Sequence, residues 1–532
     1  MKTKTIHLKV VPASLFMFLL ITSTGTPFDN KAHEALSDRA TTISNLDNFL
    51  KTVLSFEFSD GINQSLEGKL ITRHIQDGSL LEDSIGLGLR VKNHFHNPKR
   101  SWDQAGLQPP GSSIPTGISS IVWSQLQNQG DLGNKSWHQA RDAYFTALTS
   151  TSKSERKKWY ATTFRLLGHA IHHVQDAAAP SHTRNDTHFS LLGIGNKDLF
   201  HSFAERPEIL ALINTIPPSP LDASFLSNQP SADSRYPIPI SRFIDTTAGD
   251  IAALALGNGT GIGIAEYSNA NFFSDDTIFP ETFTYPGLSN LLISTPELDP
   301  QTGIKKTYLF FKPGFGERNY RLAQASSLRN ITGTNVATDI GLDYKVFTDY
   351  AYKLFPRAIG YSAGLIDYFF RGQVDTADPP FGYVLVPWEE RPTSIDVEGV
   401  KIIGEGQQTG SGTIRMVLLH RNSFTGQPDG PLSPGPKPLV VVSNEVPYTI
   451  SSERQTVTFG FASLPFPTTA PPALCCSGNG YMAIIVYRGT LGQELNNSVV
   501  ASGYCRDAES GETWERFYSF ERTPTQAYIG EC

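Results

Sequence analysis

Cysteine is absent from this 532-residue chain until Cys475, and the four that exist, Cys475, Cys476, Cys505 and Cys532, crowd into the last 60 residues. A thiolate metal site or a cysteine nucleophile is thereby excluded from everything upstream. No CxxC spacing occurs among the four. In an exported protein an even count reads as two disulfides, Cys475 and Cys476 each pairing with Cys505 or Cys532 in an order that stays open. Basic excess is also missing. The formal net charge of −7 argues against a broadly nucleic-acid-binding surface, although a metal cluster can attract phosphate locally. Long apolar runs are missing beyond Val10–Ile21. That run follows Lys2, Lys4 and Lys9 and precedes small residues, so residues 1–25 read as an export signal, with secretion or periplasmic release expected.

Length and an apolar content of 39% allow two or three domains with ample core. Thirteen histidines are ordinary in number but not in placement: ten fall between His74 and His201. The densest stretch is Leu166–His182, LLGHAIHHVQDAAAPSH. It offers His169, His172, His173, Asp176 and His182, interleaved with Leu166, Leu167, Ile171 and Val174 at helical spacing. His172 and Asp176 are one turn apart and share a face. Pro180 is expected to end that helix, leaving His182 to turn back. One buried histidine alone reads as a hydrogen-bonded core residue. The group does not, because burying so many imidazoles without a purpose is costly. Nitrogen and oxygen donors in this arrangement suit a borderline cation such as zinc.

Helical periodicity is expected over Asn30–Leu50, Asp131–Ala147, Ser154–Val174 and Asp198–Leu212, the last placing His201 and Glu205 on one face, while Asn63–Leu89 reads as helix and loop ending in the glycine-bearing Ile85–Leu89. A proline- and glycine-rich region from about 217 to 335 reads as irregular, with a short helix at Ser241–Leu256. Glu266–Phe279 is expected as a lid or wall over the site. Asp339–Arg371 reads as a long amphipathic helix or helix pair interrupted at Pro356, and Thr376–Pro380 as a linker. From Tyr383 onward, short runs such as Thr413–Leu419, Pro438–Val442, Thr456–Phe461 and Tyr481–Arg488 alternate with turns. The expected architecture is a mainly α multi-helix bundle over residues 26–375, followed by a β-rich, sandwich-type domain over 376–532.

The motifs resemble those of the zinc-dependent bacterial phospholipases C and the related single-strand-specific nucleases. That superfamily places a histidine, an aspartate four later and a histidine six after that, around D-x-x-x-P-x-H; here these are His172, Asp176 and His182. The phospholipase branch continues with H-x-x-x-E, here His201 to Glu205. Upstream it carries a glycine, an aspartate five later and an H-F-x-[DN]-P turn, here Gly78, Asp83 and His94–Pro98. Arg357–Phe370 is similar to the family's closing helix. The match spans roughly residues 28–215 and 339–372. The asparagine-rich loop and H-x-x-x-D ending of the nucleases are not found.

The resemblance implies a phospholipase C-like helical fold and two or three zinc ions. One would be held by Asp83, His94, His172 and Asp176, and another by His182, His201 and Glu205. A third would use His33, Asp176 as a bridge, and the mature chain's first residue, which in the family is tryptophan; no tryptophan precedes His33 here. Asp83 would also serve catalysis as general base or water-orienting group. His94 takes the motif position in preference to His96, and Asp83 in preference to Asp77. His169 and His173 are expected behind the ligands or in the core, and His74, His138 and His188 at the surface or behind the ligands. The activity implied is hydrolysis of a phospholipid by a monomeric enzyme that touches membrane surfaces transiently. Nucleic acid is the alternative substrate, and a non-catalytic zinc-stabilised surface-binding protein the third reading. Ser84 and Val91 stand where choline-preferring members carry aromatic residues, so choline preference is not implied. The β-rich part would position the enzyme on a surface.

Overall fold

The computed structural model describes residues 30–54, 57–84, 90–108, 114–130, 133–186, 198–221, 231–247, 261–278, 286–299, 303–325, 340–376, 394–404, 409–420, 440–462 and 481–504, with 225, 249, 386–387 and 526–527. The segment expected as an export signal, His188 and all four cysteines lie outside these residues.

Eleven α-helices occur among the described residues: α1 Asn30–Ile43, α2 Leu46–Val53, α3 Ile71–Ser84, α4 Ser120–Gln125, α5 Trp137–Thr149, α6 Lys153–Asp176, α7 Pro180–Thr183, α8 Leu199–Ala204, α9 Pro207–Thr215, α10 Ile264–Asn271 and α11 Tyr344–Phe369. The central element is α6. Ser152 caps its first turn by accepting from the Glu155 amide at 3.4 Å, and Glu155 complements the helix dipole there. In its first turns Lys157 and Lys158 face solvent while Arg156 is buried against Glu57, and every residue from Leu166 to Asp176 is buried. The helix ends at Asp176, before Pro180. That proline opens α7 at its first position, where the absent N–H costs nothing.

Glycine sets the crossing of α3 over α6. A Cβ on Gly78 would lie 1.8 Å from the Arg165 carbonyl oxygen, and one on Gly168 would lie 2.1 Å from the Ile75 carbonyl oxygen. The two helices therefore touch backbone to backbone, which brings the end of α3 against the buried half of α6.

Several expectations are corrected. The single helices expected over Asn30–Leu50 and Asp198–Leu212 are each two helices. The first pair breaks at Ser44, whose hydroxyl donates to the Thr41 carbonyl. Ser241–Leu256 is not helical where described: Pro239–Phe243 forms one 3-10 turn. Glu266–Phe279 is no lid. Residues 264–271 form α10, buried along its whole length, because Ser268 donates to the Ala177 carbonyl and Asn269 to the Thr183 carbonyl. It is a wall behind α7. Helix α11 runs unbroken through Pro356. An interior proline costs about 3 kcal/mol, but this helix is buried from Leu354 to Ile366, and that burial outweighs the lost hydrogen bond.

The region expected as irregular also contains a sheet. Strands β3 Leu291–Ile293, β4 Glu297–Leu298, β5 Lys305–Phe311, β6 Ala323–Ala325 and β7 Ile340–Gly341 form an antiparallel sheet centred on β5; β1 Ser65–Leu66 and β2 Lys69–Leu70 form a small hairpin before α3. Only β5 is long enough to show a period in sequence.

The C-terminal part is antiparallel β, as expected. Strands β8 Gln373–Asp375, β10 Ser394–Ile403 and β14 Gln455–Gly460 pair in the order β14–β10–β8; β9 Val386–Pro387 pairs with β17 Gln526–Ala527. A larger sheet follows the order β12–β11–β15–β16, where β11 is Gly410–His420, β12 Val440–Val442, β15 Tyr481–Leu491 and β16 Glu494–Tyr504, with β13 Val446–Ile450 added to β11. The larger sheet is buried on both faces. Ile414, Met416, Leu418, Ile485 and Tyr487 join a core with Val397, Ile402 and Phe459 of the smaller sheet. Val417, Leu419, Ile484, Val486, Val499 and Ala501 join the core of the helical part. Successive residues of a strand point to opposite faces, so a two-sided sheet needs unbroken apolar runs, and MVLL and AIIVY supply them. The β part is thus packed as a wall of the helical core. A buried ion cluster locks it: Glu494 of β16 accepts from Arg141 Nε of α5 at 2.8 Å, from Arg371 at 2.7 Å and from Trp137 Nε1 at 2.8 Å.

Candidate metal centre

Four elements converge on the buried half of α6. Helix α3 brings Glu82 and Asp83, the turn after it brings His94, α1 brings His33, and α7 brings His182. The His94 turn is tied to α7 by the His96 amide donating to the His182 carbonyl at 3.0 Å. All five of His33, His94, His172, Asp176 and His182 are essentially without solvent exposure, and Asp83 is nearly so.

The donor atoms form a compact set. His94 Nδ1 lies 3.1 Å from Asp83 Oδ1, 3.1 Å from Asp176 Oδ2 and 3.1 Å from His172 Nε2. His172 Nε2 lies 2.9 Å from Asp176 Oδ2 and 3.4 Å from Asp83 Oδ1. These are five of the six edges of a tetrahedron. Ligands at zinc bond lengths of about 2.0–2.2 Å in tetrahedral geometry stand roughly 3.3–3.6 Å apart, so the set is slightly tighter than a zinc shell and of the same shape. The other oxygen of Asp176 lies 3.4 Å from His33 Nε2, and His33 stacks on His172 with ring centroids 4.2 Å apart. His182 Nδ1 lies 3.6 Å from Asp176 Oδ2. Asp176 is the shared centre.

The donor set fits a cation. Both oxygens of Asp176, Oδ1 of Asp83 and Nδ1 of His172 are buried without a hydrogen-bond partner. Buried carboxylates short of donors are costly unless paired with positive charge. Three groupings of donors within 4.8 Å occur among the described residues: His33, His172 and Asp176; Asp83, His94 and His172; His94, His173 and Asp176. Without a cation the cluster shares protons. Burial alone pushes the imidazoles of His94 and His172 down, but Asp176 and Asp83 outweigh it; His172 rises to about 9 and His94 well above its ordinary value. Burial pushes the carboxyls of Asp83 and Asp176 up, and neighbouring histidines, His172 first, bring both below the ordinary range.

His201 and Glu205 are not drawn into this set. The His201 ring lies 5.3 Å from that of His182, and its Nδ1 is 3.4 Å from Asp198 Oδ2. Glu205 caps the end of α8 and accepts from the Ala32 amide at 2.8 Å, so it anchors the start of α1. His182, His201 and Glu205 are not among the groups of three donors within 4.8 Å of one another.

The alternatives within the sequence are separated by burial and partners. Asp77 pairs with Lys69 at 2.5 Å and Arg73 at 2.9 Å, away from the donor set. His96 faces elsewhere: its Nε2 meets Asp245 Oδ2 at 3.0 Å and its Nδ1 meets Ser119 Oγ at 2.7 Å. His74 is a correction to the surface expectation. It is buried, with Nε2 bonded to the Leu66 carbonyl at 2.9 Å. His138 is half-buried on α5 and also lies apart from the centre.

His169 and His173 both meet a residue that sequence reading missed, although His173, expected behind the ligands, also falls in one of the three donor groupings. Glu82 Oε2 lies 2.7 Å from His169 Nδ1, and Oε1 lies 3.6 Å from His173 Nε2 and 3.7 Å from His94 Nε2. Arg90 grips the same carboxylate with Nη2 at 2.6 and 2.8 Å and stacks on Trp123. Burial and this carboxylate act oppositely on His169. Burial wins, taking it down to about 4, so the ring is neutral and donates. The available signal was the adjacency of Glu82 to Asp83 and the one-turn spacing of His169 and His173. Gln175 was missed as well. Its side-chain oxygen lies 2.6 Å from His33 Nδ1.

No protein-family model matches the chain, and no curated protein matches it. Among solved structures it is similar to Clostridium perfringens alpha-toxin isolated from an avian strain, over 90% of this chain and 98% of that one, at 12% identity and a TM-score of 0.28. A likeness of that depth decides nothing about activity; the donor set itself carries the reading that follows.

Proposed function

We propose that this protein is an exported, zinc-dependent phosphodiesterase of the phospholipase C type, releasing diacylglycerol and a phosphorylated head group. One observation carries the proposal: four side chains from three separate segments place their donor atoms 2.9–3.4 Å apart in a solvent-free pocket. Asp83, His94, His172 and Asp176 would hold one ion. Asp176 would bridge toward His33 and His182. When bound, zinc supplies Lewis acidity to a phosphodiester oxygen and lowers the pKa of a bound water. The chain's own residues supply the rest. Asp83 is ionised at neutral pH, as a ligand or a general base must be. Glu82 and Arg90 brace the far side of the histidines, so that the donors are held in place before substrate arrives. The helical walls keep bulk water from the donors. The H-x-x-x-E spacing of His201 and Glu205 favours the phospholipase reading over the nuclease reading by sequence alone, since Glu205 is bonded to the Ala32 amide.

The test uses the purified full chain. Zinc per chain is measured, and hydrolysis of mixed phospholipid vesicles and of single-stranded DNA is assayed in parallel. The proposal expects bound zinc and lipid turnover. DNA turnover without lipid turnover would replace it with the nuclease reading, and absence of zinc would end both.

A further inference from the structure

We propose that Gln175 is a positioning residue of this centre: it holds His33 in the tautomer whose lone pair faces Asp176. The inference rests on the metal-hydrolase reading above.

Gln175 is fully buried on α6, on the side facing α1 and α3. Three contacts define its amide. The oxygen lies 2.6 Å from His33 Nδ1 and accepts from Ser79 Oγ at 3.2 Å, while Nε2 donates to Ser37 Oγ at 3.0 Å. The amide turns its oxygen toward His33 and its nitrogen toward Ser37; each serine hydroxyl can donate or accept, so the two hold the amide in place while the contact with His33 Nδ1 pairs its oxygen with a ring N–H. An oxygen opposite Nδ1 requires Nδ1 to carry the proton. In a neutral imidazole the lone pair is then on Nε2. That nitrogen lies 3.4 Å from Asp176 Oδ1, itself an acceptor. Two buried acceptors face each other, which is the arrangement a cation satisfies. The opposite tautomer would donate Nε2–H to Asp176 and close the position with a proton. Gln175 selects against that closed form. It acts through His33 and touches no reacting atom. Because its neighbour in sequence is Asp176, one turn of α6 sets both the carboxylate and the partner of the opposing imidazole.

Two variants of the full-length protein test this, with zinc affinity measured by competition against a chromophoric chelator. Gln175→Leu removes the acceptor, and the weakest-held zinc is expected to loosen by about 10–100-fold, the usual effect of losing a partner behind a ligand. Gln175→Glu can only accept, and is expected to retain wild-type affinity. Equal zinc binding by wild type and Gln175→Leu overturns the inference while leaving the metal reading intact; a wild-type chain that binds no zinc overturns both. Should Gln175→Leu fold poorly, the wild-type protein decides. Long-range proton–nitrogen spectra of the zinc-free chain, with His33 identified by its loss in His33→Asn, are expected to show Nδ1 protonated and Nε2 bare. The reverse pattern sinks the proposal.

Discussion

Gly78 rests against Gly168 where α3 crosses α6, with a Cβ on Gly78 falling 3.0 Å from Gly168 Cα and nearer still to the Arg165 carbonyl. No side chain separates the two helices at that point. Asp83 lies five residues further along α3 and reaches His172 and His94 because the crossing is this close. Gly78→Ala must push the helices apart, and overpacking of this kind costs about 1–3 kcal/mol. We expect a lower melting temperature together with weakened zinc binding. A variant that melts earlier yet holds zinc as tightly as wild type would show that the crossing does not set the donor spacing.

Asp176 faces four imidazoles of the donor set. Asp176→Asn keeps the size but removes the charge that His33, His94, His172 and His182 face. Loss of at least one zinc per chain and a fall in hydrolysis of roughly 100-fold or more are expected, in line with the loss of metal-based charge stabilisation. Retained activity would mean that Asp176 is no bridge.

His94 and His96 are two residues apart and do different work. His94→Ala is expected to remove zinc with a modest change in the stability of the metal-free chain. His96→Ala is expected to keep zinc but destabilise the fold by about 1–3 kcal/mol, because buried Asp245 loses a partner and retains Trp102 and Thr247. Metal content and urea unfolding of both variants separate the roles; zinc loss in His96→Ala would reverse the assignment.

Glu266 gives a pH dependence away from the metal centre. Burial, with the charge of Asp245 added, pushes its carboxyl up from 4.5 to about 8. The folded state therefore holds this proton more tightly than the unfolded chain. The resulting stability is fully present below pH 4.5 and is lost as pH rises through about 8. Glu266→Gln can still accept from Gly263 and Thr246, and is expected to flatten the fall in melting temperature across that interval. Parallel curves for the two proteins would count against the assignment.

The two-sided sheet predicts that the β part is not a detachable module. A chain ending at Asp375 would lose Glu494 and leave Arg141 and Arg371 buried without their carboxylate, and removing one side of a buried ion pair typically costs about 3–5 kcal/mol. It would also expose the apolar face that Val417, Ile484 and Val499 cover. Such a chain is expected to aggregate or lack a cooperative melt. A soluble, cooperatively folding product would refute this, and one that also hydrolysed lipid vesicles as well as the full chain would rule out a surface-positioning role for the β part.

Legibility in the sequence followed the range of the interaction. Helix α6 was readable because its apolar residues recur at helical spacing, and α5 and α11 were readable for the same reason. The exception in α11 is Pro356, where a local rule predicts a break and burial on all sides overrides it. Of the two forms expected for Glu266–Phe279, lid or wall, it takes the wall, because its polar residues find partners at and beside α7, which no local pattern announces. The sheet around β5 was hidden by strands of two or three residues, too short to carry a period. Glu82 and Gln175 stand beside the motif, but their importance lies in which histidine each meets, and those histidines are far away in sequence.

The sequence by itself determined the donor types, their spacing along α6 and the α-then-β order. Those properties are local, set by residue chemistry and helical period. Only the tertiary structure decided that Asp83, His94, His172 and Asp176 meet within one shell, that His96 and Asp77 turn away, that Glu205 holds the Ala32 amide, and that the β sheet closes the helical core. The reason is physical. Side-chain convergence depends on how closely backbones cross, and a Gly78–Gly168 contact is invisible until the two helices are laid against each other.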